Sequence, residues 1–141
     1  MQLVYKVVCR PCFGDRKLRS VMHPFDDSAV VYEPGKWTRA PFGMLFAFSF
    51  RDQAERFLWG IADGEAEYEL WEAETPFAAQ VGLIVSPAES YTSLFKEFWE
   101  RYFADMDVFH LPIVSAPEGT VGAYKLRLTR KLLSSVEEPE D

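Results

Sequence analysis

Apolar residues recur along the chain in two kinds of pattern, one typical of strands and one typical of helices. The clearest example lies in residues 42–74. The nearly unbroken apolar run 42–50 has the length of a central strand, and its aromatic residues and the preceding Pro41 favour a strand over a buried helix. The next apolar residues recur with the spacing of one helix face. They are Ala54, Phe57, Leu58 and Ile61. Residues 68–74 then predict another strand, so this stretch is expected to form a strand–helix–strand unit.

Both ends of this first helix carry capping signals, which predict a helix over about 50–63. Ser49 is the expected N-cap, with Asp52 three residues later in the capping-box position. Gly64 is expected to end the helix at the C′ position, where glycine is favoured.

A second helix is predicted over about 87–106. Ser86 is its expected N-cap, Pro87 fits the first helical position and Glu89 follows at the third. The helix would carry a broad apolar stripe. Its members are Tyr91, Leu94, Phe95, Phe98, Trp99, Tyr102, Phe103 and Met106.

Further strands are predicted at residues 3–8, 28–33, 77–85 and 121–128. Helices and strands do not alternate strictly, so the sequence indicates an α+β fold with a mixed or mostly antiparallel sheet of about five to six strands and two main helices. Residues 1–135 are expected to form one globular domain. The acidic residues 136–141 are expected to be a flexible tail.

The net charge of −7 argues against nucleic acid and anionic membranes as partners, because both attract clustered lysine and arginine. No apolar run is long enough to span a bilayer. The chain has two cysteines and no secretory signal, and this combination predicts reduced thiols and a cytoplasmic location.

Aromatic residues make up 16% of the chain, including 12 Phe, 6 Tyr and 4 Trp. A core of large rings tends to leave some of them on a surface that binds a partner. Trp37, Trp99 and Tyr102 are the candidates for such a binding surface. They favour a non-catalytic module that binds a protein or a small-molecule ligand and needs no cofactor.

Cys9-Arg10-Pro11-Cys12 is a C-x-x-C motif directly after the first strand. The motif resembles that of the thioredoxin family, which has proline in the same slot and a later proline before a strand, as Pro41 is here. The resemblance implies thiol redox chemistry, in which one thiolate attacks and its neighbour resolves. That family also has a long helix starting at the motif, and Gly14 and Asp15 would interrupt one here.

Two other interpretations of Cys9 and Cys12 remain open. The pair could form half of a tetrahedral zinc site that His23 and His110 complete, although the histidines lack ligand-type spacing. They could also be ordinary thiols in a turn at the end of a strand.

Glu72 and Glu74 form the second chemical motif. Residues two apart on a strand share a face, so these carboxylates are expected to lie side by side. Neighbouring carboxylates can divide the roles of acid and base in catalysis. A solvated strand end would show the same sequence pattern.

Arg10, Ser49 and the Glu72-x-Glu74 motif follow the order found in the ADP-ribosyltransferases, which they resemble. The resemblance implies an enzyme in which Arg10 holds the NAD dinucleotide, Ser49 takes the strand-end serine position and Glu74 is the catalytic glutamate. Phe48 and Phe50 flank Ser49 where that family has a serine-threonine-serine run. The binding module is the leading hypothesis, and this enzyme is the alternative ahead of thiol redox.

Overall fold

Strands of very unequal length make up most of the fold. The computed structural model describes residues 1–11, 16–21, 30–41, 43–64, 66–85, 92–106 and 113–136. The elements of these residues are, in chain order, β1 (Gln2–Pro11), β2 (Leu18–Ser20), β3 (Val31–Tyr32), β4 (Trp37–Arg39), β5 (Leu45–Phe48), α1 (Arg51–Ile61), β6 (Ala66–Thr75), β7 (Ala79–Gln80), β8 (Leu83–Val85), α2 (Thr92–Phe103), β9 (Ile113–Ser115), β10 (Thr120–Ala123) and β11 (Lys125–Ser134).

The centre of the sheet is an antiparallel ladder between β1 and β6. It runs without a break from the pair Gln2 and Thr75 to the pair Pro11 and Ala66. β11 pairs with the other edge of β6 and shifts register twice along the way. These three strands have 10 residues each and carry most of the hydrogen-bonded ladder.

The main sheet curls back on itself. Its path is β4-β11-β6-β1-β5-β10-β7, with β2 and β3 beside β1, while β8 and β9 pair separately. Three strands lie between β10 and β11, which would place these two about 19 Å apart in a flat sheet. In the chain only Tyr124 separates them, and one intervening residue spans at most about 7 Å. The sheet must therefore bend until β10 and β11 meet at a corner.

The curl gives the sheet a concave face and a convex face, each with its own core. The concave core joins residues from distant points of the sheet path, which only an inward-curving face can do. It contains Val4, Val8, Leu18, Tyr32, Leu45, Ala47, Ala73, Val121, Leu126 and Leu128. The convex core is covered by α1. It contains Val7, Cys9, Phe48, Ala54, Leu58, Ala66, Tyr68 and Leu70. Successive residues of β1 alternate between the two cores because strand side chains point to opposite faces.

Helix α1 packs on the convex face through the predicted stripe. Ala54 and Leu58 are fully buried, and Phe57 and Ile61 are partly buried beside them. Burying large side chains of this kind contributes roughly 1.5–3 kcal/mol each before conformational entropy is counted.

The start of α1 differs from the sequence prediction. Its N-cap is Phe50, which has extended backbone (φ −128°, ψ 142°) and no side-chain capping bond. Ser49 instead donates its backbone N–H to the carbonyl of Gly119 at 2.9 Å. The prediction of a Ser49 cap is wrong because the loop before β10 holds that residue one position outside the cap.

The end of α1 also differs from the prediction. Its C-cap is Ala62, so the C′ position falls on Asp63. Gly64 lies one residue further, where a φ of 81° turns the chain toward β6.

Helix α2 is held to the sheet by Trp99. The Trp99 ring lies 5.4 Å from the ring of Phe46 on β5, centroid to centroid. It also covers Gly43, where a β-carbon would overlap the indole and where φ is 65°. Only glycine fits both the space and the backbone at this contact.

The predicted α+β class with two helices and a mostly antiparallel sheet is confirmed, but in the described part of the chain the sheet has 9 strands rather than five or six. The predicted strand 77–85 is divided into β7 and β8, and the predicted strand 121–128 is divided at Tyr124. No helix among the described residues is long and apolar enough to cross a membrane.

Several sequence predictions concern residues outside the described ranges. These residues are Cys12, Gly14, Asp15, His23, 28–29, Phe42, Ser86, Pro87, Glu89, Tyr91, His110 and 137–141, and the side chains of Leu94 and Phe95 are not described either. The predicted start of the second helix therefore stays a prediction, while its described part ends at Phe103 rather than near Met106.

Candidate functional site

Large apolar side chains are exposed together at the C-terminal end of α2 and the adjoining corner of the sheet. We call this surface the aromatic ridge; it consists of Tyr102, Phe103, Met106 and Tyr124. These side chains are 37%, 50%, 54% and 59% exposed, respectively. The Phe103 ring meets the Tyr102 ring edge-on at 5.9 Å and stacks on the Tyr124 ring at 6.3 Å, centroid to centroid. The three rings of the ridge therefore form one continuous surface rather than a set of isolated residues.

Buried rings hold the aromatic ridge in place from below. Trp99 is only 2% exposed and lies 5.5 Å from both Tyr102 and Phe103. Phe98, fully buried, stacks 5.8 Å from Tyr102. Of the predicted surface residues, Tyr102 is therefore exposed. Trp99 is instead buried against Gly43 and supports the exposed rings from below.

Two acidic residues adjoin the ridge, one on α2 and one in the turn that follows it. Glu100 and Asp105 are exposed, and Asp105 adopts a positive φ of 55° in the turn that ends the helix. The basic residue of this turn, Arg101, contacts Glu97 at 3.3 Å. The α2 side of the ridge therefore presents carboxylates to solvent, while Lys125 follows Tyr124 on the sheet side.

Trp37, the third predicted binding residue, has a different environment on the edge strand β4. Its ring lies 4.8 Å from the Lys125 ammonium and 4.8 Å from the Arg127 guanidinium. Cations at this distance from an indole face are attracted to its π-electrons. The ring is only partly exposed, and cations of its own chain already lie over it.

Glu72 and Glu74 lie on the same face of β6, as the alternation predicted. Glu72 pairs with Arg130 at 2.8 Å, and Glu74 pairs with Arg127. Each carboxylate thus has its own guanidinium from β11. This arrangement is that of two separate ion pairs across neighbouring strands.

Arg10 lies on the opposite face of the sheet from Glu72 and Glu74. It is paired across the ladder with Glu67, whereas Glu74 faces Leu3 at the other end of β1. Its guanidinium contacts Glu69 at 3.2 Å and Glu67 at 3.6 Å. The structure therefore does not bring Arg10 into one cleft with Glu72 and Glu74.

The strand pairing places Ser49 nearer to Glu72 and Glu74 than to Arg10. It follows Phe48, which pairs with Tyr5, and Tyr5 in turn pairs with Glu72. The ADP-ribosyltransferase-like interpretation stays a prediction, and the described contacts supply no shared site for its three parts.

A buried carboxylate that the sequence analysis did not single out lies beside Arg10. Glu69 is 1% exposed and accepts hydrogen bonds from Trp71 Nε1 at 2.9 Å and Arg10 Nε at 3.2 Å. Lys131 approaches the same carboxylate at 4.0 Å. The sequence did contain a signal for this cluster, because Glu67, Glu69 and Trp71 alternate along β6 and therefore lie on one face of the strand.

The concave core contains a second polar pair that the sequence analysis missed. Lys6 is 6% exposed and donates from Nζ to the carbonyl of Phe46. Burial lowers the pKa of Lys6 to about 8. Tyr32 is 2% exposed, and its hydroxyl has no hydrogen-bond partner among the described residues.

Cys9 is fully buried in the convex core beneath α1. Because its motif partner Cys12 is not described, the redox and zinc interpretations stay predictions. Among the described residues there is no group of three or more side chains able to hold a metal ion.

Comparisons with known protein families, with curated proteins and with solved structures find no match for this chain.

Proposed function

We propose that this protein is a non-catalytic binding module whose aromatic ridge docks a protein segment carrying apolar side chains flanked by lysine or arginine. The observation that carries the proposal is that the exposed rings of Tyr102, Phe103 and Tyr124 touch one another, with Met106 exposed just beyond the end of α2. Scattered apolar residues on a surface need no explanation, but a continuous cluster of large ones is typical of an interaction site.

The chemistry of the ridge favours a protein partner. Aromatic residues and methionine are enriched in the buried centres of protein interfaces, where they supply large contact areas. The two tyrosines also carry hydroxyl groups that can hydrogen-bond at the rim of such a contact.

The support beneath the ridge favours binding without rearrangement. Trp99 and Phe98 are buried and touch Tyr102 directly. Rings that are already fixed lose little conformational freedom when a partner covers them, so more of the contact energy appears as affinity.

Charge favours a basic segment over an acidic one. Glu100 and Asp105 are exposed beside the ridge, and the whole chain has a net charge of −7. Complementary charge increases the rate of encounter and disfavours partners of the same sign. We also propose a cytoplasmic location, which is supported by the low cysteine content of 2 in 141 residues.

The experiment measures binding of fluorescent peptides that contain a Leu-Phe pair flanked by lysines, against the same peptides with glutamates in place of the lysines. We expect saturable binding of the basic peptides, weaker at high salt because charges at the rim are screened. Phe103→Ala and Tyr124→Ala should each weaken binding about tenfold or more, as truncation of a central aromatic contact does.

Trp59→Ala is the matched control, since Trp59 is 55% exposed and lies on α1, whose main contacts are with β1, β5 and β6. It should bind like the unaltered protein. The proposal would be overturned if the ridge variants bound the basic peptides as tightly as the unaltered protein does, or if the acidic peptides bound as tightly as the basic ones.

A further inference from the structure

Three near-parallel rings form a stack that runs from the interior of the protein to the aromatic ridge. The ring of Phe103 makes an angle of 24° with Trp99 at 5.5 Å and an angle of 22° with Tyr124 at 6.3 Å, centroid to centroid. Among the described residues Trp99 and Tyr124 make no ring contact with each other, so Phe103 lies between them. Trp99 is buried and Tyr124 is exposed. The stack therefore ends in solvent at Tyr124.

The outer face of the Tyr124 ring carries neither a ring nor a cation of the described part of the chain. Phe103 is the ring that it contacts there, and no cation lies over it. Lys125 follows Tyr124 directly, but its ammonium lies over Trp37, as the guanidinium of Arg127 does. The protein thus covers Trp37 with its own cations and leaves the end of the ring stack open.

The turn that ends α2 places a carboxylate beside this stack. Asp105 donates its backbone N–H to the carbonyl of Tyr102 at 3.2 Å, and Met106 donates to that of Arg101 at 2.9 Å, which is the pattern of a Schellman motif. Asp105 takes the left-handed position of the motif, with a φ of 55°, where glycine is usual. It is exposed, and the ion pairs within the described ranges do not include it. An unpaired carboxylate therefore adjoins the ridge at a position where glycine would be less strained.

We propose that the segment docking on the ridge presents an arginine whose guanidinium stacks on the open face of Tyr124 and whose charge is balanced by Asp105. This role of arginine rests on the proposed function, because the ridge must first bind the segment. It makes the partner more specific, since lysine would be the poorer ligand at the same place.

The shape and hydration of the two cations explain the preference for arginine. A guanidinium is planar and weakly hydrated, so it can lie flat on an aromatic face and still donate in its own plane to a carboxylate. A lysine ammonium is compact and strongly hydrated, and it gains less from the same ring. Planar anions such as nucleotides are disfavoured by the net charge of −7.

The test compares two fluorescent peptides with the same Leu-Phe pair, one flanked by arginines and the other by lysines, by fluorescence anisotropy. We expect the arginine peptide to bind about fivefold more tightly, which is the effect of one stacked cation at a partly exposed ring. In Tyr124→Leu, which removes the ring, the ratio of the two affinities should fall to about one. Tyr124→Phe keeps the ring and should keep the ratio.

Two variants of Asp105 separate the role of its charge from the strain of its backbone. Asp105→Asn and Asp105→Gly should each weaken binding of the arginine peptide about threefold, as loss of one exposed charge partner does. Asp105→Gly should at the same time raise the midpoint of urea unfolding, because glycine adopts the left-handed conformation more readily. Asp52→Asn is the matched control for charge, since Asp52 is exposed on α1, and it should bind like the unaltered protein.

The possible outcomes distinguish the role of arginine from docking on the ridge. If neither peptide bound, the proposed function and the role of arginine would both be overturned. Equal affinities of the two peptides, both weakened by Phe103→Ala, would leave docking on the ridge in place and overturn the role of arginine. A preference for arginine that persists in Tyr124→Leu would overturn the stacking on Tyr124, and unchanged binding by Asp105→Asn would overturn the role of that carboxylate.

Discussion

The Lys6 amine lies 5.4 Å from the centre of the Tyr32 ring, inside the concave core of the sheet. Lys6 donates to a backbone carbonyl, but the described residues offer it no carboxylate partner. Burial therefore lowers the pKa of Lys6 from 10.5 to about 8. Because the pKa of Lys6 differs between the folded and the unfolded state, the free energy of unfolding depends on pH between these two pKa values.

The free energy of unfolding should rise between about pH 8 and pH 10. In this range the unfolded chain keeps a proton on Lys6 that the folded protein has released, so higher pH favours the folded state. The shift from 10.5 to about 8 corresponds to on the order of 3 kcal/mol over the full window. Above pH 10 the gain is opposed, because burial raises the pKa of Tyr32 and its ionisation favours the unfolded chain.

Urea unfolding at a series of pH values measures this rise. Lys6→Met keeps the length of the side chain and removes the titrating amine, so the rise should disappear in this variant. A wild-type profile that is flat or falls over the same pH range would contradict the assignment.

Tyr32→Phe should stabilise the protein by about 1 kcal/mol, since it keeps the ring and removes a buried hydroxyl that has no hydrogen-bond partner in the described part of the chain. Tyr68→Phe is the matched comparison, because Tyr68 donates its hydroxyl to Asp63 at 3.1 Å. That variant should lose about 0.5–1.5 kcal/mol. Chemical denaturation measures both, and a loss of stability in Tyr32→Phe would show that its hydroxyl is hydrogen-bonded in solution.

Glu69→Gln should cost about 2 kcal/mol or more, whereas Glu72→Gln should cost less than about 1 kcal/mol. Glu69 is 1% exposed and holds Arg10 and Trp71, while the partner of Glu72, Arg130, is 67% exposed. Thermal and urea unfolding of the two variants provide the comparison. Equal costs would mean that burial does not distinguish the two ion pairs.

Phe50→Asp should stabilise α1 by about 1 kcal/mol, because Phe50 holds the N-cap position with no side-chain bond to the helix. Phe50 is 61% exposed, so little buried area is lost. Ser49→Ala should change the free energy of unfolding by less than about 0.5 kcal/mol, since Ser49 is not the cap. The reverse order of the two effects would restore Ser49 as the capping residue.

Local patterns predicted the elements whose signal lies within one turn or one strand. The stripe containing Ala54 and Leu58 placed α1, and the alternation around Glu72 and Glu74 correctly put both on one face. These features depend on neighbours in sequence, which the chain itself displays.

Features that depend on distant contacts could not be predicted in the same way. β2, β3, β4 and β7 have two or three residues each, too few to show a period. Trp99 was predicted as a surface residue and is buried because Gly43, far away in sequence, leaves room for its ring. In the same way, the buried Oε1 of Gln53, which has no hydrogen-bond partner among the described residues, packs against the distant Gly119.

The ladder between β1 and β6 also affects how the chain folds during its synthesis. Its two strands are separated by the whole of α1 and four short strands, and β11 joins them only at Lys125–Ser134. A chain emerging from the ribosome therefore exposes the open edge of β6 until its last strand has been synthesised. With so many pairings between distant residues, folding should fall in the slow range of milliseconds to seconds.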